Sequence, residues 1–312
     1  MREPASEADQ RAVVARVDFG GCVLLRDDGE LLDATVARGL LGRTRALGNA
    51  VVVGDRVAYR DDGAAPVILE VEPRRNVFSR RAAGERPQEQ VVAVNLDQLV
   101  LVASLVEPEF KPGLADRVLG QAEHAGIPAR LVLNKLDRAE RGMAEDILRA
   151  YMRAGHAGHL GSARTGEGMD ELRHACRGRR SLFVGHSGVG KSTVVNALAP
   201  GLDLLVGQVN AKTGKGRHTT TAAWLVRPEP DFELIDTPGV RTFGMWGIGS
   251  RDLEQVYVEF RPFLGRCRFT DCRHGREPGC AILAAVGAGE ISPRRLGSFL
   301  KLREELEGEE SR

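Results

Sequence analysis

Eight residues, Gly185-His186-Ser187-Gly188-Val189-Gly190-Lys191-Ser192, fit the pattern G-x-x-x-x-G-K-[ST]. They follow a strand-like run, Ser181–Gly185, and open a helical stretch, Ser192–Leu198. Glycines at these spacings let backbone N–H groups curl around a β-phosphate. Lys191 would reach the β- and γ-phosphates, the Ser192 hydroxyl would ligate Mg2+, and Thr193 belongs to the same nucleotide-facing turn. A chance glycine-rich turn is the bland alternative, and the strand–loop–helix setting weighs against it.

A phosphate loop does not choose between ATP and GTP. Asn134-Lys135-Leu136-Asp137, after the apolar run Ala129–Leu133, makes that choice. Asp137 can accept from both N1–H and the exocyclic amine of guanine, a donor pair that adenine lacks. Asn134 and Lys135 would hold the O6 and N7 side and brace the phosphate loop. Gly161-Ser162-Ala163-Arg164-Thr165-Gly166 lies between this tetrapeptide and the next helix, and a Ser162–Ala163 backbone turn can donate to guanine O6. By itself a Ser-Ala pair carries no information.

Asp236-Thr237-Pro238-Gly239 closes the strand Phe232–Ile235. Asp236 would hold Mg2+ through water, and the Gly239 N–H would sense a γ-phosphate. Between these motifs lies Gly214-Lys215-Gly216-Arg217-His218-Thr219-Thr220-Thr221. One threonine there should close over Mg2+; Thr220 is the choice, and its two neighbours remain open. The order of the motifs is unusual. In most GTPases the phosphate loop comes first and Asn-Lys-x-Asp near the end, whereas here Asn-Lys-x-Asp and Ser-Ala precede the phosphate loop. A sheet survives such a cut when the old ends lie close enough to join.

A third chemistry sits near the C-terminus. Cys267, Cys272, His274 and Cys280 offer three thiolates and an imidazole, a closed tetrahedral set suited to one structural Zn2+. Buried cysteines beside an unrelated histidine are the alternative. Arg261, Arg266, Arg268, Arg273 and Arg276 surround the set against Asp271 and Glu277, a surface fit for RNA phosphate or for a protein contact. The acidic run Glu304–Glu310 reads as a solvated tail.

The positioning elements follow from pattern. Alternation over Arg11–Val17 is weak, Cys22–Arg26 and Leu31–Val36 flank the turn Asp27-Asp28-Gly29, and Val51–Val53, Val57–Tyr59 and Val67–Val71 continue the series. About five short strands predict a small β-barrel over residues 1–75, an OB-fold, with an SH3-like barrel as the alternative. Arg74–Gln90 carries Arg74, Arg75, Arg80, Arg81 and Arg86 against Glu85 and Glu89 with no apolar period, so residues 76–90 read as an exposed basic linker between domains; a plain solvated loop is the alternative. Residues 91–248 alternate strands with helices (Leu114–Ala125, Ala139–Arg153, Met169–Arg177), so a mostly parallel sheet covered on both faces is expected. Residues 249–312 form the zinc-binding domain with helices, joined to Gly239 by a flexible stretch, Val240–Ser250.

Composition bounds the rest. The 312 residues, 42% hydrophobic and 28% charged with mean hydropathy −0.22, suit a globular chain of several domains. A net charge of +1 argues neither for nor against nucleic acid. Apolar runs such as Leu99–Val106 fall far short of the ~20 residues that cross a bilayer, and Met1–Ser6 lacks a signal-peptide pattern. A cytoplasmic monomer without membrane contact is the expectation.

Taken together, the permuted order, the Gly-Arg-His-Thr-Thr-Thr segment, Asp-Thr-Pro-Gly and the Cys/Cys/His/Cys set resemble the RsgA family, circularly permuted GTPases of late small-ribosomal-subunit maturation. The resemblance covers nearly the whole chain. It implies an N-terminal OB-fold, a central GTPase domain, a C-terminal zinc domain, GTP and GDP as ligands, and docking on the small subunit and its rRNA. It also implies that hydrolysis is coupled to maturation and to release. Val240 stands where Ras-like enzymes carry the glutamine that orients water, and His218 resembles the family's replacement. An imidazole suits that role; a surface histidine on a loop is the alternative. A metabolic kinase, which Asn134–Asp137 and the absence of an evident acceptor-substrate domain weigh against, and a non-catalytic RNA-binding module whose nucleotide site is only structural are the competing functions.

Overall fold

The computed structural model describes residues 10–18, 21–41, 50–61, 63, 65–84, 87–200 and 223–311. Strands β1 (Gln10–Asp18), β2 (Gly21–Leu25), β3 (Leu31–Val36), β4 (Arg56–Arg60) and β5 (Val67–Val71) close into a barrel in the order β1-β2-β3-β5-β4. Only β3 and β5 pair in parallel, and a four-residue helix, α1 (Arg38–Leu41), follows β3. This is the expected OB-type barrel. Ala12, Val14, Cys22, Leu24, Val57, Tyr59 and Ile68 fill its interior. The opposite faces of β1 and β2, through Val13, Ala15, Val23 and Leu25, pack on the central domain. A strand buried on both faces cannot alternate cleanly, which explains the weak period of Arg11–Val17.

The expected linker at 76–90 is instead a β-hairpin. Strands β6 (Val77–Arg81) and β7 (Glu89–Val94) form a two-stranded antiparallel sheet. Phe78, Ala93 and Val94 are fully buried; Arg86 lies outside the described residues, and the other four arginines have individual partners. Arg74 grips the buried Asp55 carboxylate through two bonds of 2.8 Å, Arg75 meets Asp97 at 2.6 Å, Arg80 donates to Gln90 at 2.9 Å, and Arg81 pairs with Glu309. Charge density there marks separate tethers.

The central sheet runs β10-β9-β8-β11-β13-β12, with β12 alone antiparallel. Its strands are β8 (Gln98–Ser104), β9 (Ala129–Asn134), β10 (Ala157–Leu160), β11 (Arg179–Gly185), β12 (Trp224–Glu229) and β13 (Phe232–Asp236). Leu99, Leu101, Leu131, Leu133 and Leu182 face α2 (Pro112–His124) and α3 (Arg141–Arg153). Val100, Val102, Val132 and Phe183 face α4 (Met169–Cys176) and α5 (Lys191–Leu198). Two buried faces make these strands continuously apolar, and parallel strands bring the loops that follow β8, β9, β10, β11 and β13 to one edge. Glu233 joins Arg180 and Arg227, each at 2.7 Å; these arginines also donate to the barrel carbonyls of Gly54 (2.8 Å) and Arg26 (3.0 Å).

Beyond β13 the chain is packed where flexibility was expected. Phe243, Met245 and Ile248 are buried, the Arg81 N–H donates to the Gly244 carbonyl at 2.9 Å, and Trp246 exchanges two hydrogen bonds with Gln121 of α2. The C-terminal domain contains α6 (Leu253–Val256), a 3-10 segment (Val258–Phe263), α7 (Ala281–Gly287) and α8 (Pro293–Glu310) around Tyr257, Phe260, Phe299 and Leu302. The acidic tail is not merely solvated. Glu305 pairs with Arg117, Glu307 with Arg273 and Arg303, Glu309 with Arg81, and Glu310 accepts from Ser250 at 2.7 and 2.8 Å. No helix among the described residues is long and apolar enough to cross a membrane.

One buried ionic group joins the two C-terminal thirds. Arg295 of α8, 3% exposed, pairs with Asp116 of α2 and with Glu259 at 2.6 Å. Its guanidinium lies 5.0 and 4.4 Å from the Tyr151 and Tyr257 ring centres, and the Tyr151 hydroxyl donates to Asp116 at 2.8 Å. Burial pushes the neighbouring His156 down to about 4, so it is neutral at physiological pH. Removing the cation strands two buried carboxylates, which costs about 3–5 kcal/mol. Arg295→Met should therefore lower the urea midpoint and strip hydrogen-exchange protection from α2 and α8 together. Unchanged protection in both helices would show that the group carries no such weight.

Candidate functional site

The loops at the C-terminal sheet edge are held together by side chains. β11 ends at Gly185, and the following turn needs Gly188 and Gly190 at φ +87° and +86°. A Cβ on Gly190 would fall 2.5 Å from Asn134 Nδ2, so only glycine permits this approach. Val189 is buried as an anchor, while Ser187, Gly188, Ser192 and Thr193 are exposed, with His186 partly so. Lys191, 6% exposed, pairs with Asp236 at the end of β13. The first turn of α5 thus presents N–H groups, two hydroxyls and a helix N-terminus, a composition made for anionic oxygen.

Asn134 is buried and uses both ends of its amide. Nδ2 donates to the Val189 carbonyl at 2.9 Å, and Oδ1 accepts from the Ala163 N–H at 3.0 Å. Lys135, in the left-handed region at φ +62°, donates to the carbonyls of Gly188 (2.7 Å) and Glu107 (2.5 Å). The expected bracing is present, and Asn134 does more of it than its sequence position suggests. Leu136 is buried and opens a 3-10 turn that carries Asp137 outward. The buried Ser162 hydroxyl donates to Asp137 at 2.6 Å, and Arg164 Nε lies 3.3 Å away. That hydrogen bond first, and then the Arg164 charge, hold the Asp137 carboxyl below its ordinary range, so it is an acceptor at neutral pH. The Gly161–Ala163 segment is locked by Gly161 N–H to Leu133 (3.0 Å) and Leu136 N–H to Gly161 (3.1 Å).

The Asp236–Gly239 loop is fastened from two sides. Thr237 Oγ1 donates to the Phe183 carbonyl at 2.7 Å, and Val240 N–H donates to Gly185 at 3.0 Å. Val240 is buried and carries no hydrogen-bonding side chain. Gly239 is exposed, and a Cβ there would stand 3.1 Å from Ser187 Cα. His218 and Thr220 lie outside the described residues. Sequence reasoning missed Glu107 and Lys111. The Glu107 carbonyl binds Lys135, and Lys111 Nζ lies 3.1 Å from His186 Nε2. Their signal was positional, since the loop after β8 ends at the same edge.

Cys267, Cys272, His274 and Cys280 place four ligand atoms within 4.8 Å of one another, a set that could hold one zinc ion. His274 turns Nδ1 toward the sulfurs and sets Nε2 3.0 Å from Glu254, a carboxylate that orients the imidazole. Ala281 and Leu283 N–H groups point at the Cys267 and Cys280 sulfurs at 3.4 Å. Burial pushes the Cys272 thiol up to about 12, a penalty that a divalent cation reverses. The residues fit the group.

Comparisons with known proteins converge on one family. Residues 71–246 match the family model described as RsgA GTPase. A curated relative from Gemmatimonas aurantiaca, named small ribosomal subunit biogenesis GTPase RsgA, is 42% identical over 95% of this chain and 97% of its own. A relative of the same name from Azotobacter vinelandii is 45% identical over 80% of this chain and 73% of its own. The crystal structure of YjeQ from Thermotoga maritima superposes with a TM-score of 0.75 at 27% identity, covering 96% of this chain and 99% of that one. YloQ, described as a circularly permuted GTPase, gives a TM-score of 0.71 at 21% identity over 99% of both chains, a likeness of fold.

The ligand cluster yields a direct expectation. One equivalent of zinc should accompany protein purified without chelator, and Cys272→Ser should lose it while residues 98–200 keep their hydrogen-exchange protection. Metal analysis finding no zinc in the wild-type protein would contradict this.

Proposed function

The chain belongs to the RsgA GTPase family of GTP-hydrolysing P-loop enzymes, and from that premise we propose that it docks on the small ribosomal subunit and couples hydrolysis to late maturation and to its own release. The observation that carries the nucleotide part is the Asn134 bridge, which joins the phosphate loop to the Ser162–Ala163 turn beside Asp137. Asp137 would accept from guanine N1–H and N2–H, with Lys135 and Leu136 shaping the base slot and Ser162–Ala163 bordering O6. Gly185 to Ser192, with Thr193, would surround the phosphates, and the Gly239 N–H would meet the γ-phosphate. Ser192, Asp236 and Thr220 are oxygen donors, as a hard Mg2+ ion requires. When bound with GTP, that ion neutralises charge on the β- and γ-phosphate oxygens. Zinc at Cys267, Cys272, His274 and Cys280 is structural in this reading.

Water positioning falls to a residue other than Val240, whose side chain has no polar atom. We assign it to His218. The packed continuation of the second switch supports a docking-dependent mechanism: Gly244 and Trp246 tie it to the hairpin and α2, and Ser250 to α8. A γ-phosphate that orders Gly239 would therefore bias the C-terminal domain, and docking would bias the switch in return.

GTP and ATP turnover with and without small subunits tests this. GTP alone should be hydrolysed slowly, subunits should accelerate it, and Lys191→Ala should abolish nucleotide binding. His218→Ala should lower stimulated turnover on the order of 10²-fold while sparing GTP affinity. Full stimulation of His218→Ala would make that histidine a bystander, and absence of stimulation in the wild type would remove the coupling.

A further inference from the structure

We propose that the loop between Cys267 and Cys272 is a stacking site for an unpaired RNA base, with Phe269 as its platform; this rests on the RNA-docking reading above. Phe269 is 41% exposed, and it is the one large aromatic residue exposed among the described residues. Every other phenylalanine of the C-terminal domain is buried or half-buried, so the core does not need this ring. The Arg268 guanidinium lies over it at 5.5 Å from the ring centre. Such a pair offers a base one aromatic plane and one cationic plane.

The loop is built to hold that pair still. Cys267 and Cys272 bracket it, and both belong to the metal-ligand cluster. The Arg268 N–H donates to the Gly279 carbonyl at 3.0 Å, and Gly279, at φ +76°, passes so close that a Cβ would meet Arg268 Cβ at 3.0 Å. Of the two acids in this segment, Asp271 is exposed within the loop, whereas Glu277 spends its carboxylate on the backbone. It accepts from the backbone N–H groups of Arg273 (2.9 Å), Gly275 (2.8 Å) and Arg276 (2.9 Å). Arg266, Arg268 and Arg276 are exposed and make no ion pair among the described residues. An exposed ring under the exposed Arg268, with Arg266 two residues before it in the chain, complements a splayed base beside its phosphates. The pair matches an acidic protein surface less well, because the negative face of the ring does not attract carboxylates.

The full-length protein can be titrated with a short fluorescein-labelled single-stranded RNA of mixed sequence, with the same RNA as a duplex, and with small subunits. Phe269→Ala should weaken single-strand binding roughly 5- to 150-fold, the range of one base–aromatic stack, without changing the salt slope. Phe269→Trp should retain affinity. Arg266→Ala should lower the slope by about 0.7, the share of one neutralised phosphate on a single strand. Phe269→Ala binding the single strand like wild type, or duplex binding as tight as single strand, would overturn the proposal. Loss confined to intact subunits would place a protein on the ring and also overturn it. Wild-type failure to bind subunits would remove the docking reading itself, whereas subunit binding indifferent to Phe269 removes only this site.

Discussion

The buried carboxamide of Asn134 is the interaction on which the sheet edge depends. It satisfies Val189 of the phosphate loop on one side and Ala163 on the other, in a place where an unpaired polar group would cost about 1–3 kcal/mol. Lys135 adds a second strap to Gly188, and Ser162 aligns Asp137. Three loops from three strands therefore form one body through lateral contacts. Such contacts are indifferent to the order in which the chain visits the strands, which is why a permuted sequence can assemble the same edge.

The permutation matters beyond that edge. The strand bearing Asp236 leads into the C-terminal domain, and the connection is clamped by the hairpin, α2 and α8. Arg295 then binds α8 to α2 through Asp116, while Glu309 reaches back to Arg81 of the hairpin. The exposed tail pairs are individually weak in water. The buried Arg295 group is not, because its carboxylates have no solvent to turn to. Movement at Gly239 therefore meets a network with one stiff joint and several soft ones, an arrangement suited to transmitting a switch.

Motifs whose chemistry is local were legible in the sequence. Gly185–Ser192, Asn134–Asp137, Asp236–Gly239 and the Cys267–Cys280 set occupy neighbouring chain positions, and each lies where its pattern placed it. The barrel was readable as well, because hairpin turns such as Asp27–Gly29 mark its corners. What escaped was anything decided by a distant partner. Arg74–Gln90 looks like a basic linker until Asp55, Asp97 and Glu309 take up Arg74, Arg75 and Arg81. Glu304–Glu310 looks solvated until Arg117, Arg273 and Ser250 meet it, and Val240–Ser250 looks loose until Gln121 caps Trp246.

The most direct measurement is calorimetric titration of GDP, ADP and XDP into the wild-type protein and Asp137→Asn. The account requires wild type to bind GDP and reject ADP, since only guanine offers the donor pair that Asp137 accepts. In the variant an amide replaces one acceptor oxygen with a donor, so GDP affinity should fall on the order of tenfold or more for each charged hydrogen bond removed. XDP, which carries a carbonyl in place of the amine, should gain. Equal affinity of the wild type for GDP and ADP, or undiminished guanine preference in Asp137→Asn, would contradict the assignment of this edge as a guanine site.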